Sequence, residues 1–333
     1  MGTLLEVTVW EADTARAREA LAAARAAVFR VDTLMSLYKE ESELSVVNRR
    51  AGSGDATTLS PETAEVLAAA LDYAARTGGA IDVTVGPLVD VWGFYRHEGR
   101  IPPAEVLDSA RALVGYERIE FDPATRAVRL PAPGMRLDFG AIAKGYAVDL
   151  AVVALRRRGI RRGKVDLGGN LRFFGSPPED GAWSVGLRDP RRPEEILAVV
   201  ALDSGAVATS GDYEQFFVHD GVRYSHLMDP RTGRPARGVA SVSVVAPTGL
   251  AADALSTALF VLGPGRGCGV AAGVPGVEAL WILDAGADGA REAGGAFAPI
   301  RFTPGLEGVL AFYVEDPAAL SAVRPCGSAA PTP

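Results

Sequence analysis

Cysteine and histidine are scarce in this chain of 333 residues: two cysteines, Cys268 and Cys326, and three histidines, His97, His219 and His226. Two thiols are too few for a disulfide framework or a thiolate zinc site. No two histidines stand at zinc-ligand spacing. Long apolar runs are missing too. The longest, such as residues 196–202, fall well short of the roughly 18 residues that a membrane helix needs and suit buried strands instead. The N-terminus shows no charged stretch followed by an apolar one, so no secretion signal is expected. Glu6 stands where the myristoylation pattern wants Ser or Thr. Lys and Arg (34) are outnumbered by Asp and Glu (41), a net charge of −7. That balance argues against nucleic acid as the main partner, yet an acidic protein can still hold a small anion in a locally cationic pocket. Three familiar loops are absent as well: the Walker ending Gly-Lys-Ser/Thr, the dinucleotide fingerprint Gly-x-Gly-x-x-Gly and the nucleophile elbow Gly-x-Ser-x-Gly.

What is present mixes helices and strands without strict alternation. Residues 3–10 read as an opening strand, and from Thr14 apolar residues fall at helical spacing through Leu21, Ala24, Val28, Val31 and Met35. Ser42 is a cap for a short helix. Ser60-Pro61-Glu62 is a cap, first-turn proline and early acid opening a helix that stops at Gly78-Gly79. A strand is expected at 135–138, running directly into a helix over 140–158. Further strands are expected near 165–167, 184–187, 197–202, 216–219, 239–245, 277–283 and 309–313. Residues 263–269 read as a loop. The tail 324–333 is rich in Pro, Ala, Ser and Gly and reads as disordered. The fold expected is α+β, a single mixed domain over 1–317 with antiparallel or mixed strands and packed helices, followed by the tail 318–333.

Several segments carry chemistry. After Thr248 comes an apolar helix whose polar residues are Asp253, Ser256 and Thr257. Asp253 and Thr257 are four apart and share a face. A carboxylate and a hydroxyl are hard oxygen ligands that suit Mg²⁺; a buried Asp bonded to backbone amides is the alternative. The segment Asp138-Phe139-Gly140-Ala141-Ile142-Ala143-Lys144 places a helix mouth, a glycine and a mobile cation together, a pattern that favours an anion. Asp166–Asn170 and residues 208–211 are strand ends entering small-residue turns. His226 precedes an Asp229-Pro230 turn and suits phosphate contact or base work. Gly78–Pro87, followed by Trp92-Gly93-Phe94, sets exposed backbone beside aromatics.

Together and in this order these stretches resemble the ApbE-type FAD:protein FMN transferase family. The resemblance also takes in Met1-Gly2-Thr3, Met35-Ser36-Leu37-Tyr38, Ser42-Glu43-Leu44-Ser45 with Asn48, Ser225–Gly233 and residues 253–263. It implies an enzyme that binds FAD and Mg²⁺ and moves FMN onto a Ser or Thr of an acceptor redox protein, releasing AMP. Acceptor sites of the type Asp-Gly-x-Thr-Gly/Ser-x-Thr are implied. FAD contacts are implied at Met1, Tyr38, Ala80, Ile81, Asp82, Asp138, Lys144 and Leu227, and Mg²⁺ ligands at the Ala141 carbonyl, Asp253 and Thr257. Some members carry another acid where Ser256 stands. Family members are often periplasmic or membrane-anchored; the chain itself leaves its compartment open. His226, Asp253 and Lys144 are the catalytic candidates. Alternatives are an FAD pyrophosphatase with the same metal site and a flavin-binding module without chemistry.

Overall fold

The computed structural model describes residues 2–177, 181–284, 299–313 and 323–327. Its centre is an eight-stranded sheet. The strands run in the order Leu5–Val9, Gly163–Leu167, Asn170–Phe174, Gly205–Gly211, Val239–Ala246, Glu278–Leu283, Ile300–Phe302 and Val323–Pro325. Neighbours are antiparallel except the last pair, which is parallel.

Alternating side chains on these strands feed two apolar layers. Ala206 and Ala208 pack with Val242, Val244, Leu255 and Leu259 on the helical side. Val207, Leu280 and Ile282 face the opposite way and pack with Val185, Leu187 and Val200 of a three-stranded sheet. That second sheet has the order Leu310–Phe312, Arg192–Leu202, Trp183–Asp189. The architecture is α+β, as expected.

The long helices lie on one face. Thr14–Met35 buries Ala20, Ala24, Val28, Val31 and Met35, the stripe read from its periodicity. Pro61–Thr77 starts at the Ser60 cap, with Thr63 N donating to Ser60 Oγ, and ends at Gly78 in the left-handed region. Ala143–Arg157 and Gly249–Ala272 cross where two glycines meet. A Cβ at Gly145 would stand 2.1 Å from the Gly249 carbonyl oxygen, and one at Gly249 would stand 2.5 Å from the Gly145 oxygen. Only glycine permits this approach, and it brings Lys144 against Asp253.

Four expectations need correction. Residues 135–138 form no strand, only an isolated bridge between Arg136 and Val85. Their backbone groups are taken by single distant residues and not by a neighbouring strand: Asn48 donates to the Leu137 carbonyl and accepts its amide, and Asp138 N donates to Val83 O. The helix therefore starts at Ala143, after a turn in which Ile142 is still non-helical. Residues 208–211 continue a strand to Gly211 rather than forming a turn. Residues 263–269 are helical from Pro264: Gly263 breaks the geometry (φ 63°), and Pro264 supplies a first-turn proline for the second segment. Lastly, residues 323–325 of the expected disordered tail pair with Ile300–Phe302, and Cys326 is disulfide-bonded to Cys268. Residues 318–322 and 328–333 of that tail lie outside the described residues. No described helix is long and apolar enough to cross a membrane.

Candidate active site

One cleft of about 770 Å³ gathers Tyr38, Ala80, Ile81, Asp82, Asp138, Ala141, Lys144, His226, Leu227, Asp253 and Thr257. Met1 is outside the described residues. Ser210, Asn170 and Tyr95 line the same cleft.

Asp253 is anchored by the helix crossing. Its Oδ2 accepts the Gly145 amide at 2.8 Å, and its Oδ1 lies 3.6 Å from Lys144 Nζ. The residue is only 4% exposed, so the carboxylate keeps its charge out of water with one amide and one ammonium beside it. Lys144 also donates to the Gly140 carbonyl at 3.1 Å. It stands in the first turn of its helix, not a full turn in, because the helix begins late. The N-terminus of the Gly249–Ala272 helix is closed to ligands: Asp149 accepts the Gly249 and Leu250 amides, and Thr248 accepts that of Ala251.

Thr257 is one turn on from Asp253. Its hydroxyl lies 3.2 Å from Ser210 Oγ, which is also 2.8 Å from Ser256 Oγ. Ser256 in turn donates to the Asp253 carbonyl. Ser210 thus ties the two helix hydroxyls to the adjacent strand. Short polar residues at a strand end carry no distinctive signal, so its role is visible only in three dimensions.

Asp138 is held in place from two sides. Both carboxylate oxygens already have a donor: the Tyr95 hydroxyl at 2.6 Å and the Gly140 amide at 2.7 Å. Tyr95 carries the Arg136 guanidinium 4.3 Å from its ring centroid, and burial, then the Asp138 charge, push its phenol well above the ordinary range. Tyr95 therefore stays a neutral donor. It sits one residue past the aromatic segment noted in the sequence, where nothing marked it as polar machinery.

Asp82 ties its own loop to the segment at Tyr116. It accepts the Thr84 amide and hydroxyl with one oxygen and the Tyr116 amide with the other. Burial pushes its carboxyl up, opposed by those bonds.

His226 Nδ1 lies 3.1 Å from the Gln215 carbonyl, which can only accept, so Nδ1 carries the proton and Nε2 is left as the acceptor. Burial pushes its pKa below the ordinary value, and the Lys144 charge adds to this against the opposing pull of the Gln215 carbonyl and Asp138. A neutral imidazole with a free Nε2 in a cleft is competent to take a proton. Tyr38 stands at the mouth, 76% exposed.

The chain is similar to known proteins over most of its length. The family model described as "ApbE family" matches residues 1–281. The FAD:protein FMN transferase of Vibrio cholerae is 37% identical over 246 residues, covering 72% of each chain. That of Treponema pallidum is 35% identical over 299 residues, covering 85% of this chain and 82% of its own. Among solved structures, the ApbE protein of Thermotoga maritima superposes with a TM-score of 0.78 at 36% identity, covering 85% of this chain and 91% of that one. The flavin transferase ApbE of Vibrio cholerae gives 0.76 at 33%, with the same coverage. The chain belongs to the ApbE family.

Proposed function

We propose that this chain is a Mg²⁺-dependent FAD:protein FMN transferase that joins FMN through a phosphoester to a Ser or Thr of an acceptor redox protein and releases AMP. The observation that carries it is the buried Asp253 carboxylate facing Lys144 across a cleft shared with Thr257 and His226.

The donors fit the metal. Asp253, Thr257 and Ala141 line one cleft, so a cation held by them takes one carboxylate, with neutral oxygens for the rest. That is the habit of Mg²⁺, which keeps waters and takes substrate phosphates alongside one or two carboxylates. Asp253, Thr257 and the Ala141 carbonyl would hold it. Bound there, Mg²⁺ supplies charge neutralisation for the pyrophosphate.

The chain's own residues do the remainder. Lys144 offers a point charge to phosphate. Asp138, fixed by Tyr95 and Gly140, sets ligand orientation through its remaining lone pairs. His226 Nε2 accepts the proton of the incoming hydroxyl, whose oxygen bonds to the FMN phosphorus as the bridging P–O bond breaks towards AMP. Positioning and charge neutralisation account for most of such catalysis.

Water replacing the hydroxyl would make the chain an FAD pyrophosphatase. The exposure of Tyr38 favours some of this side reaction, because the ring does not close the cleft against solvent. Incubation with FAD and Mg²⁺, with and without an acceptor, separates the two: AMP formation that depends on acceptor and matches FMN adduct supports transfer.

A further inference from the structure

We propose that the acceptor docks by adding an extended segment to the free edge of the strand Trp183–Asp189, which delivers its Ser or Thr into the cleft. This rests on the transferase reading and names the surface that reading requires.

Four consecutive residues, Val185, Gly186, Leu187 and Arg188, line the cleft. Successive side chains of a strand point to opposite faces, so four in a row meet one cavity only if the strand presents its edge. That strand is outermost in its three-stranded sheet and pairs on one side only among the described residues, with Arg192–Leu202.

The ladder shows which groups are free. Ala201 N donates to Val309 O and Tyr313 N to Leu197 O, so odd-numbered residues of the middle strand point away from Trp183–Asp189. In an antiparallel ladder, Ser184 and Gly186, opposite Ala201 and Val199, therefore turn their N–H and C=O groups outward. Exposed strand edges are normally blocked by charge, proline or a bulge. Here a register shift interrupts the ladder only from Leu187 onward, while positions 184 and 186 carry serine and glycine. An edge left open beside a catalytic cleft suits strand addition, in which backbone bonds hold a peptide whatever its side chains. Lys144, Asp253 and Thr257 line the same cleft, so a hydroxyl carried on that segment enters where the pyrophosphate is held.

The test uses the full chain and a synthetic peptide of the type Asp-Gly-x-Thr-Gly-x-Thr. Gly186→Pro removes the outward N–H, and proline is tolerated on a strand edge where that N–H faces away from the ladder. Gly186→Ala is the control, since it adds the same Cβ, which meets only the flexible end of Ile196 at 2.9 Å. The expected result is a peptide KM raised about tenfold in Gly186→Pro, the loss of roughly one bound-state hydrogen bond, with FAD Kd unchanged and Gly186→Ala near wild type. A wild-type KM in Gly186→Pro overturns the proposal. If Gly186→Pro loses FAD binding, peptides N-methylated at successive amides against the wild-type chain decide: loss of transfer at alternate positions supports strand addition, and equal tolerance everywhere overturns it. Absence of any transfer by the wild-type chain refutes the transferase reading and this proposal with it.

Discussion

Lys144 Nζ stands 3.6 Å from Asp253 Oδ1, and the amide of the next residue, Gly145, donates to Asp253 Oδ2 at 2.8 Å. A cation and a backbone donor from one helix start thus converge on a single carboxylate of another helix. Asp253→Asn keeps an oxygen for the Gly145 amide while removing the charge. It is expected to fold normally, to lose measurable FMN transfer and to weaken Mn²⁺ binding read by electron paramagnetic resonance. Thr257→Val should be milder, since a neutral hydroxyl contributes less than a carboxylate.

Lys144→Met keeps the methylene stem but removes the ammonium. Turnover should fall by about ten- to a hundredfold, on the scale of one charge-assisted contact. FAD binding should also become less sensitive to salt, because screening acts on that charge. Steady-state kinetics and FAD titrations at two ionic strengths check both expectations.

Tyr95→Phe deletes the hydroxyl that orients Asp138. Loss of one buried hydrogen bond to a charged acceptor is worth about 1.5–3 kcal/mol, so FAD Kd should rise by roughly ten- to a hundredfold, with turnover at saturating FAD little changed. Quenching of flavin fluorescence gives the Kd.

The His226 imidazole has a folded pKa below its unfolded value, chiefly from burial. On acidification below about 6.5 the unfolded chain takes up its proton first, so stability falls with pH across the window between the two values. Transfer activity should hold across most of that window and decline only at its lower end, where the folded imidazole itself is protonated and Nε2 cannot accept the hydroxyl proton. Melting curves from pH 7.5 to 5 should show the decline, and His226→Gln should remove its share of it.

The Cys268–Cys326 bond closes a loop of sequence separation 58. Loop-closure entropy of that size corresponds to about 4 kcal/mol. Cys268→Ser or reduction should lower the melting temperature, while FAD binding should hold, because neither cysteine lines the cleft.

Local signals explain how much of this was legible in the sequence. Asp253 and Thr257 stood out as polar residues in an apolar helix, and the Ser60, Pro61 and Gly78 boundaries follow from capping chemistry that needs no tertiary contact. The segment 135–138 looked like a strand because its apolar alternation is real; Leu137 and Met135 are buried. What it lacks is a partner strand, which only the distant Asn48 and Val83 reveal. Residues 263–269 looked like a loop because four glycines mask a helix restarted by Pro264. Tyr95 and Ser210 act through contacts 43 and 47 residues away, beyond the reach of any spacing rule. The free edge at Gly186 is likewise a property of sheet order, set by which strands pair and not by what the strand contains.

The measurement closest to the central claim is mass spectrometry of a Thr-containing acceptor after incubation with this chain, FAD and Mg²⁺, with AMP quantified in the same sample. One FMN per modified Ser or Thr is expected, with an equal amount of AMP, and neither product with Asp253→Asn. AMP without adduct, or adduct formation undiminished in Asp253→Asn, would contradict it.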